Sequence, residues 1–332
     1  MNGEHSAYGK GKGSRVKLIL ILVAAALVLI AFVMLALWEK DHDQYPDQRV
    51  LEDTLKYQGK EYVLQTDIET MLVLGLDTFD NQSSGAYYND KQADFLLLVI
   101  MDPSQQSCRA IRINRDTMTE INVLGVAGDK IGTTTKQIAL AHTYGNGREV
   151  SCRNTANAVS HLLMGAEVDH YVSLTMEAVS SYNDLLGGVT LEVLEDFSSV
   201  DSDLIKGELV TLTGEQALTY VRARYGMEDP TNASRMKRQK QYLEAAYERT
   251  RDVAAQDDAF LSRAALQMAD HLVSDCSGNK LEVMLQRVTE YEFDAIYDID
   301  GETRMGEEFI EFYPDADALM QIVIECFYEL KP

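Results

Sequence analysis

Three aspartates and an arginine stand where short apolar runs begin or end. Asp77 closes MLVLGLD, Asp94 opens DFLLLVIMD, and Arg115 with Asp116 closes CRAIRINRD. If these runs are adjacent strands, the four groups meet at one rim of a sheet. Two carboxylates at close range are unfavourable unless one is protonated or a cation lies between them. A hard divalent ion such as Mg²⁺, held by one or two carboxylates plus phosphate oxygens, suits Asp77 and Asp94 as ligands. A turn cap at Asp77 and a solvated strand start at Asp94 would account for the same residues without an ion.

A second group of residues is cationic. In VRARYGMEDPTNASRMKRQ, Arg222, Arg224, Arg235, Lys237 and Arg238 face only Glu228 and Asp229, within a chain whose formal net charge is -23. Arg222 and Arg224 at i and i+2 do not share a helix face, whereas Arg235 and Arg238 at i and i+3 do, with Gln239 beside them. Guanidiniums converging on one locus repel each other unless polyanionic density sits among them, and pyrophosphate oxygens accept bidentate arginine contacts well. A solvated basic helix is the plainer reading, and the acidity of the rest of the chain weighs against it. His142 and His170 have no Ser or Cys nucleophile in a recognisable pattern, so both read as packing or hydrogen-bonding residues. The four cysteines, Cys108, Cys152, Cys276 and Cys326, permit three disulfide pairings or serve as small buried hydrophobes, and no close pair suggests a metal site.

The elements that must position these groups follow from periodicity. The runs at 71–77 and 94–102 are too continuous for half-exposed strands and read as central strands covered on both faces. CRAIRINRD follows the turn DPSQQS and pairs with its predecessor as a hairpin. Helices are predicted at 152–164, 176–186 (stopped by Gly187 and Gly188), 214–225 and 233–251, with strands at HYVSLT and VTLEV between them. LEDTLKYQGKEYVL reads as a short helix followed by a lead-in strand. After residue 251 the pattern predicts further helices, a strand at GEEFIEFY and an amphipathic helix over 315–328. Such alternation predicts an α/β fold, an α-β-α sandwich with helices on both sheet faces.

The N-terminus is of another kind. Residues 18–37 are unbroken apolar sequence ending at the interfacial Trp38, long enough to cross roughly 30 Å of hydrocarbon. The run exceeds a cleavable h-region and no small-x-small site follows, so 18–38 is expected to remain as a transmembrane signal anchor. Lys10, Lys12, Arg15 and Lys17 precede it and Glu39, Asp41 and Asp43 follow, which keeps 1–17 cytoplasmic and the rest extracytoplasmic, on a single-pass protein of the cell membrane. With +3 on the first 17 residues, the remainder carries a formal -26, a surface that discourages adhesion to nucleic acid or anionic lipid. The expected organisation is a stalk over 39–66, a catalytic domain over 67–251 and a helical extension over 252–332 packed on it.

GLDTFD, QADFLLLV, INRDT, HTYGNG, AEVDHYVSL, YNDLLGGV, LTGEQALTYVRAR and SRMKRQ occur in the order seen in the LytR-CpsA-Psr family of bacterial envelope proteins, which the chain resembles from about 71 to 247. The resemblance implies a three-layer fold with a central mixed sheet and an apolar tunnel for a polyprenyl chain. It implies a Mg²⁺-dependent extracytoplasmic phosphotransferase that moves a glycopolymer, teichoic-acid-like or capsular, from a polyprenyl pyrophosphate carrier to peptidoglycan. Asp77 and Asp94 match the Mg²⁺-associated aspartates and Arg115 the arginine after the third strand. Arg222, Arg224, Arg235, Arg238 and Gln239 match the pyrophosphate-binding set. Two positions depart: Asn232-Ala233-Ser234-Arg235 replaces Asp-x-Gly-Arg, and Gln137, next to Lys136, stands where a lysine is common. Asp77, Asp94 or Asp116 could act as base. A nucleic-acid-binding regulator is disfavoured, because the membrane would separate the basic helix from DNA. A noncatalytic glycan- or lipid-binding protein is the other alternative.

Overall fold

The computed structural model describes residues 51–79 and 89–331. The expected anchor at 18–38, the segment before it and most of the stalk lie outside the described residues. The described chain opens with strands β1 (Thr54–Tyr57) and β2 (Lys60–Leu64), an antiparallel hairpin. This corrects the helix expected there. Gln58 and Gly59 both take positive φ, 49° and 78°, and two such residues make the tight turn whose twist suits a hairpin.

β3 (Glu69–Leu76), β4 (Phe95–Asp102) and β5 (Ser107–Ile113) form the antiparallel centre of a six-stranded sheet. Asp102 fixes the β4–β5 turn, its Oδ1 accepting from the amides of Ser104 and Gln105 at 2.9 and 3.0 Å. A second hairpin, β6 (Met118–Leu124) with β7 (Lys130–Gln137), leads through a 3₁₀ turn at Ile138–Thr143 into helix α1 (Glu149–Leu162). β8 (His170–Thr175) then joins β3 in parallel, and α2 (Met176–Leu185) follows. β9 (Val189–Glu192) and β10 (Leu209–Leu212) make a separate two-stranded ladder. The next two helices are α3 (Gly214–Arg222) and α4 (Asn232–Ala254). Thr213 and Gln216 start α3 with reciprocal side-chain to backbone hydrogen bonds, which is the physical content of the LTGEQAL motif.

The segment after residue 251 is not helices alone. Besides α5 (Phe260–Met268) and α6 (Gly278–Glu290), it supplies β11 (Leu272–Ser274) and β12 (Glu292–Asp298), which are the two edge strands of the central sheet. Its remaining elements are the hairpin β13 (Gly301–Met305) with β14 (Ile310–Pro314), helix α7 (Ala316–Phe327) and β15 (Tyr328–Leu330), which pairs with β2. The helical extension expected over 252–332 is thus an integral part of the sheet. The physical reason is that unpaired edges of β8 and β5 expose backbone donors and acceptors, and strands distant in sequence cover them.

Sheet order is β11-β8-β3-β4-β5-β12, with parallel and antiparallel neighbours. Strand parity divides the core. Leu72, Leu74, Leu96, Leu98 and Ile111 pack with α1 and α7, whereas Met71, Leu97, Val99 and Ala110 face α6 and Leu243 of α4. Helices on both faces make three layers. A third apolar cluster joins α3, α4 and α5 to β9 and β10. Among the described residues no helix is both long and apolar enough to cross a membrane.

Candidate functional site

Strand register builds the rim. Gly75 lies opposite Phe95, so Asp77 and Asp94 leave neighbouring strands at the same end, and the Asp94 amide donates to the Gly75 carbonyl at 2.9 Å. Leu96 lies opposite Ile113, which brings Arg115 level with Asp94. Arg115 Nη1 forms an ion pair with Asp94, Nη2 donates to Gln92 Oε1 at 2.6 Å, and Nε is 3.4 Å from Asp116 Oδ1. Arg222, the last residue of α3, reaches Asp77 with Nη2 2.6 Å from Oδ1, and both side chains are more than half exposed. Each of the two aspartates read as metal ligands therefore faces an arginine.

α4 begins beside this rim. Thr231 caps it, accepting from the Ser234 amide at 3.2 Å, and its first turn carries Asn232 and Arg235 inward. Arg235 is 6% exposed, its Nη2 donates to Asn232 Oδ1 at 2.7 Å, and its buried Nε has no hydrogen-bond partner among the described residues. Burial, then the like charges of Arg115 and Arg224, lowers its pKa to about 10. Burial likewise lowers that of Arg115, with Asp116 opposing and Arg224 adding to the effect. Three guanidiniums thus feel one another here, around a single buried carboxyl. Burial raises the pKa of that carboxyl, Asp116, against the opposing pull of Arg115, Arg235 and Arg224.

Arg238 and Gln239 do something else. Arg238 is fully buried, donates Nη1 to the Tyr220 carbonyl and Nη2 to that of Ala223, and lies 5.3 Å over the Phe197 ring. Gln239 donates to the Val221 carbonyl at 3.2 Å. The last carbonyls of a helix have no partner within it, and these two side chains supply one to α3. In this structure both hold the end of α3, the helix whose last residue is Arg222. Arg224, just past the end of α3, donates a long 3.4 Å hydrogen bond to the Pro230 carbonyl.

The two departures from the family pattern meet at Asp116. Gln137 donates to its Oδ1 and Asn232 to its Oδ2, each at 3.2 Å. An aspartate at 232 would set a second carboxylate against Asp116, and a lysine at 137 would offset it. Amides at both positions keep the same local charge balance without either ion. Sequence reasoning left out Asn114, which accepts from Asn232 at 2.9 Å, and Arg112, buried in β5 and bound to Asp298 at 2.7 Å. An arginine alternating with Ile111 and Ile113 in a covered strand was the available signal.

Asp94, Arg112, Arg115, Asn232 and Gln239 line a small depression together with Phe95, Leu96, Ile113 and Met236. Its guanidinium, carboxylate and amide groups are the kind that hold an anionic head. As for Mg²⁺, Asp77 and Asp94 are hard oxygen donors at the ends of the adjacent strands β3 and β4, each paired here with an arginine. Two carboxylates are the donor set from which such an ion would take part of its shell, with water and substrate phosphate supplying the rest.

Residues 37–272 match the family described as LytR_cpsA_psr. A Halalkalibacterium halodurans protein named polyisoprenyl-teichoic acid–peptidoglycan teichoic acid transferase TagU is 31% identical over 176 residues, 53% of this chain and 51% of that protein. Bacillus subtilis TagU, of the same full name, is 30% identical over 210 residues, 63% and 61% of the two chains. The chain spans about half the length of the curated relatives it matches. The crystal structure of B. subtilis TagV is similar in fold, with a TM-score of 0.61 at 22% identity, covering 79% of this chain and 97% of that one. The structure of TagT bound to LI-WTA gives 0.58 at 20% identity, covering 78% and 89%.

Proposed function

The chain belongs to the LytR_cpsA_psr family, and from that premise we propose that it is a phosphotransferase that attaches a glycopolymer, carried on a polyprenyl pyrophosphate, to peptidoglycan. Relatives named as teichoic acid transferases support the substrate class. The observation that carries the reading is Arg235: a buried guanidinium with an unpartnered Nε, crowded by Arg115 and Arg224, calls for an anion with several oxygens.

In the reaction, an acceptor hydroxyl oxygen attacks the phosphorus that bears the glycopolymer. The new P–O bond forms as the bond to the bridging oxygen breaks, polyprenyl phosphate departs, and the hydroxyl proton passes to a carboxylate of the rim. Such transfer is mostly positioning and charge stabilisation. Arg115, Arg224 and Arg235 would hold the diphosphate, with Arg222 released from Asp77 to join them. Asp77 and Asp94 would hold Mg²⁺, which when bound would neutralise charge on the phosphate oxygens. The site would work outside the cell, with the chain held at the membrane by 18–38.

The test uses the full chain in detergent with a polyprenyl pyrophosphate-linked glycan and peptidoglycan. Arg235→Ala loses charge-assisted hydrogen bonds of about 1.5–3 kcal/mol, so carrier affinity should fall about 10- to 100-fold and transfer with it. Equal binding and transfer by parent and variant would refute the reading. Binding by the parent without any transfer would leave only a lipid-binding protein.

A further inference from the structure

The opposite end of the central sheet holds a second constellation. β3 starts there at Glu69, β8 starts there at His170, and β11 ends there just before Asp275 and Cys276. The register sets His170 beside Met71 and Ser274 beside Val172, so the residues after β11 lie over the start of β8. One ligand atom from each of His170, Asp275 and Cys276 falls within 4.8 Å of the other two.

The separations have a shape. His170 Nδ1 is 3.7 Å from Asp275 Oδ1, and Cys276 Sγ is 3.8 Å from the same oxygen. Zinc bonds of about 2.0–2.3 Å in a tetrahedron place ligand atoms roughly 3.3–3.8 Å apart. Nδ1 of His170 is buried and has no hydrogen-bond partner among the described residues. Its other nitrogen, Nε2, points to Glu69 Oε1 at 3.5 Å, and Glu69 is itself fixed by ion pairs with Lys280 and with Arg287. A carboxylate behind the far nitrogen is how metal-bound histidines are commonly oriented. Asp275 is steadied too, its Oδ1 accepting from the Tyr171 amide at 3.0 Å.

We propose that His170, Asp275 and Cys276 bind one thiophilic divalent cation, Zn²⁺ by the chemistry of the donors, with water as fourth ligand and Glu69 orienting His170. Imidazole, thiolate and carboxylate together favour zinc over magnesium or calcium, which take oxygen alone. His170 is level with Met71, six residues or roughly 20 Å along β3 from Asp77 at about 3.3 Å per residue, so the site is separate from the transfer chemistry. Its effect would be to tie β11, from the C-terminal segment, to β8.

Cobalt reports on it directly. Full-length, metal-stripped protein in detergent should bind one equivalent of Co²⁺ with thiolate-to-metal charge-transfer absorption, and Zn²⁺ should displace it and raise the melting temperature. Cys108, Cys152 and Cys326 are buried, which makes Cys276 the accessible source of a thiolate signal among the described cysteines. Cys276→Ser should abolish the band while melting like the metal-free parent, and Glu69→Gln should weaken Co²⁺ binding about tenfold. Asp275→Asn gives an independent check should a variant fail to fold. A folded parent with no charge-transfer band at saturating Co²⁺, or a band unchanged in Cys276→Ser, would overturn the proposal.

Discussion

Arg235 and Arg238 lie one turn apart on α4 and do opposite things. Arg238 donates to two carbonyls at the end of α3, one buried and one part-buried, so Arg238→Ala strands the buried one at about 1–3 kcal/mol and the other at less. Its melting temperature should drop clearly below the parent's. Arg235→Ala removes a buried charge that like charges already oppose, so the variant should melt at or above the parent temperature while losing transfer. Thermal denaturation of the pair separates the two roles, and equal losses of stability would contradict the distinction. His142 offers a pH test. It is fully buried, with Nδ1 2.9 Å from the Lys91 carbonyl oxygen, and burial depresses its pKa from 6.5 to about 4. The unfolded chain therefore takes up the proton first. The contribution is fully present above about pH 6.5 and disappears as pH falls toward about 4, a change of about 3 kcal/mol from the linkage relation. Urea unfolding of His142→Gln should show a correspondingly smaller decline between pH 7 and 4.5 than the parent does.

At the level of elements, the β3–β4 ladder sets the spacing of the two rim aspartates. A methyl group on Gly75 would come within 2.8 Å of Phe95 Cβ, its cross-strand partner. Gly75→Ala should therefore force the strands apart, cost about 1–3 kcal/mol and reduce transfer more than carrier binding, as measured in unfolding and single-turnover assays. That ladder was legible in the sequence because its apolar runs are continuous and a short polar turn fixes the β4–β5 register, which in turn aligns Asp94 with Arg115. β1–β2 was not. Leu51 and Leu55 are spaced like a helical stripe, and the turn rests on Gln58 at positive φ, a conformation that glutamine rarely adopts. β12, EFDAIYD, mixes acids with apolar residues, and its partner β5 is far away in the chain. The role of Arg238 was hidden for a related reason: whether an arginine meets solvent, phosphate or a carbonyl depends on how α4 crosses α3, and local spacing does not encode that.

For the molecule as a whole, the described residues fall within one compact unit. A chain beginning at Gln48 should melt in a single cooperative transition. A chain ending at Arg251 would lack β11, β12 and β15 and leave β8 and β5 as open edges, so it should aggregate on size-exclusion chromatography. A soluble, cooperatively melting 48–251 fragment would show that the late strands are dispensable. Their place in the sheet also bears on time. β5 is complete at Ile113, but the strand that covers it ends at Asp298, so the sheet cannot close until most of the chain exists. At ~5–20 residues per second, that interval is roughly 10 to 40 s. Helix pairs of local contacts form far faster than this, whereas the long-range pairing of β5 with β12 must wait. The window in which a newborn molecule can be lost to its neighbours is thus set by the rate of synthesis, whatever the stability of the finished fold.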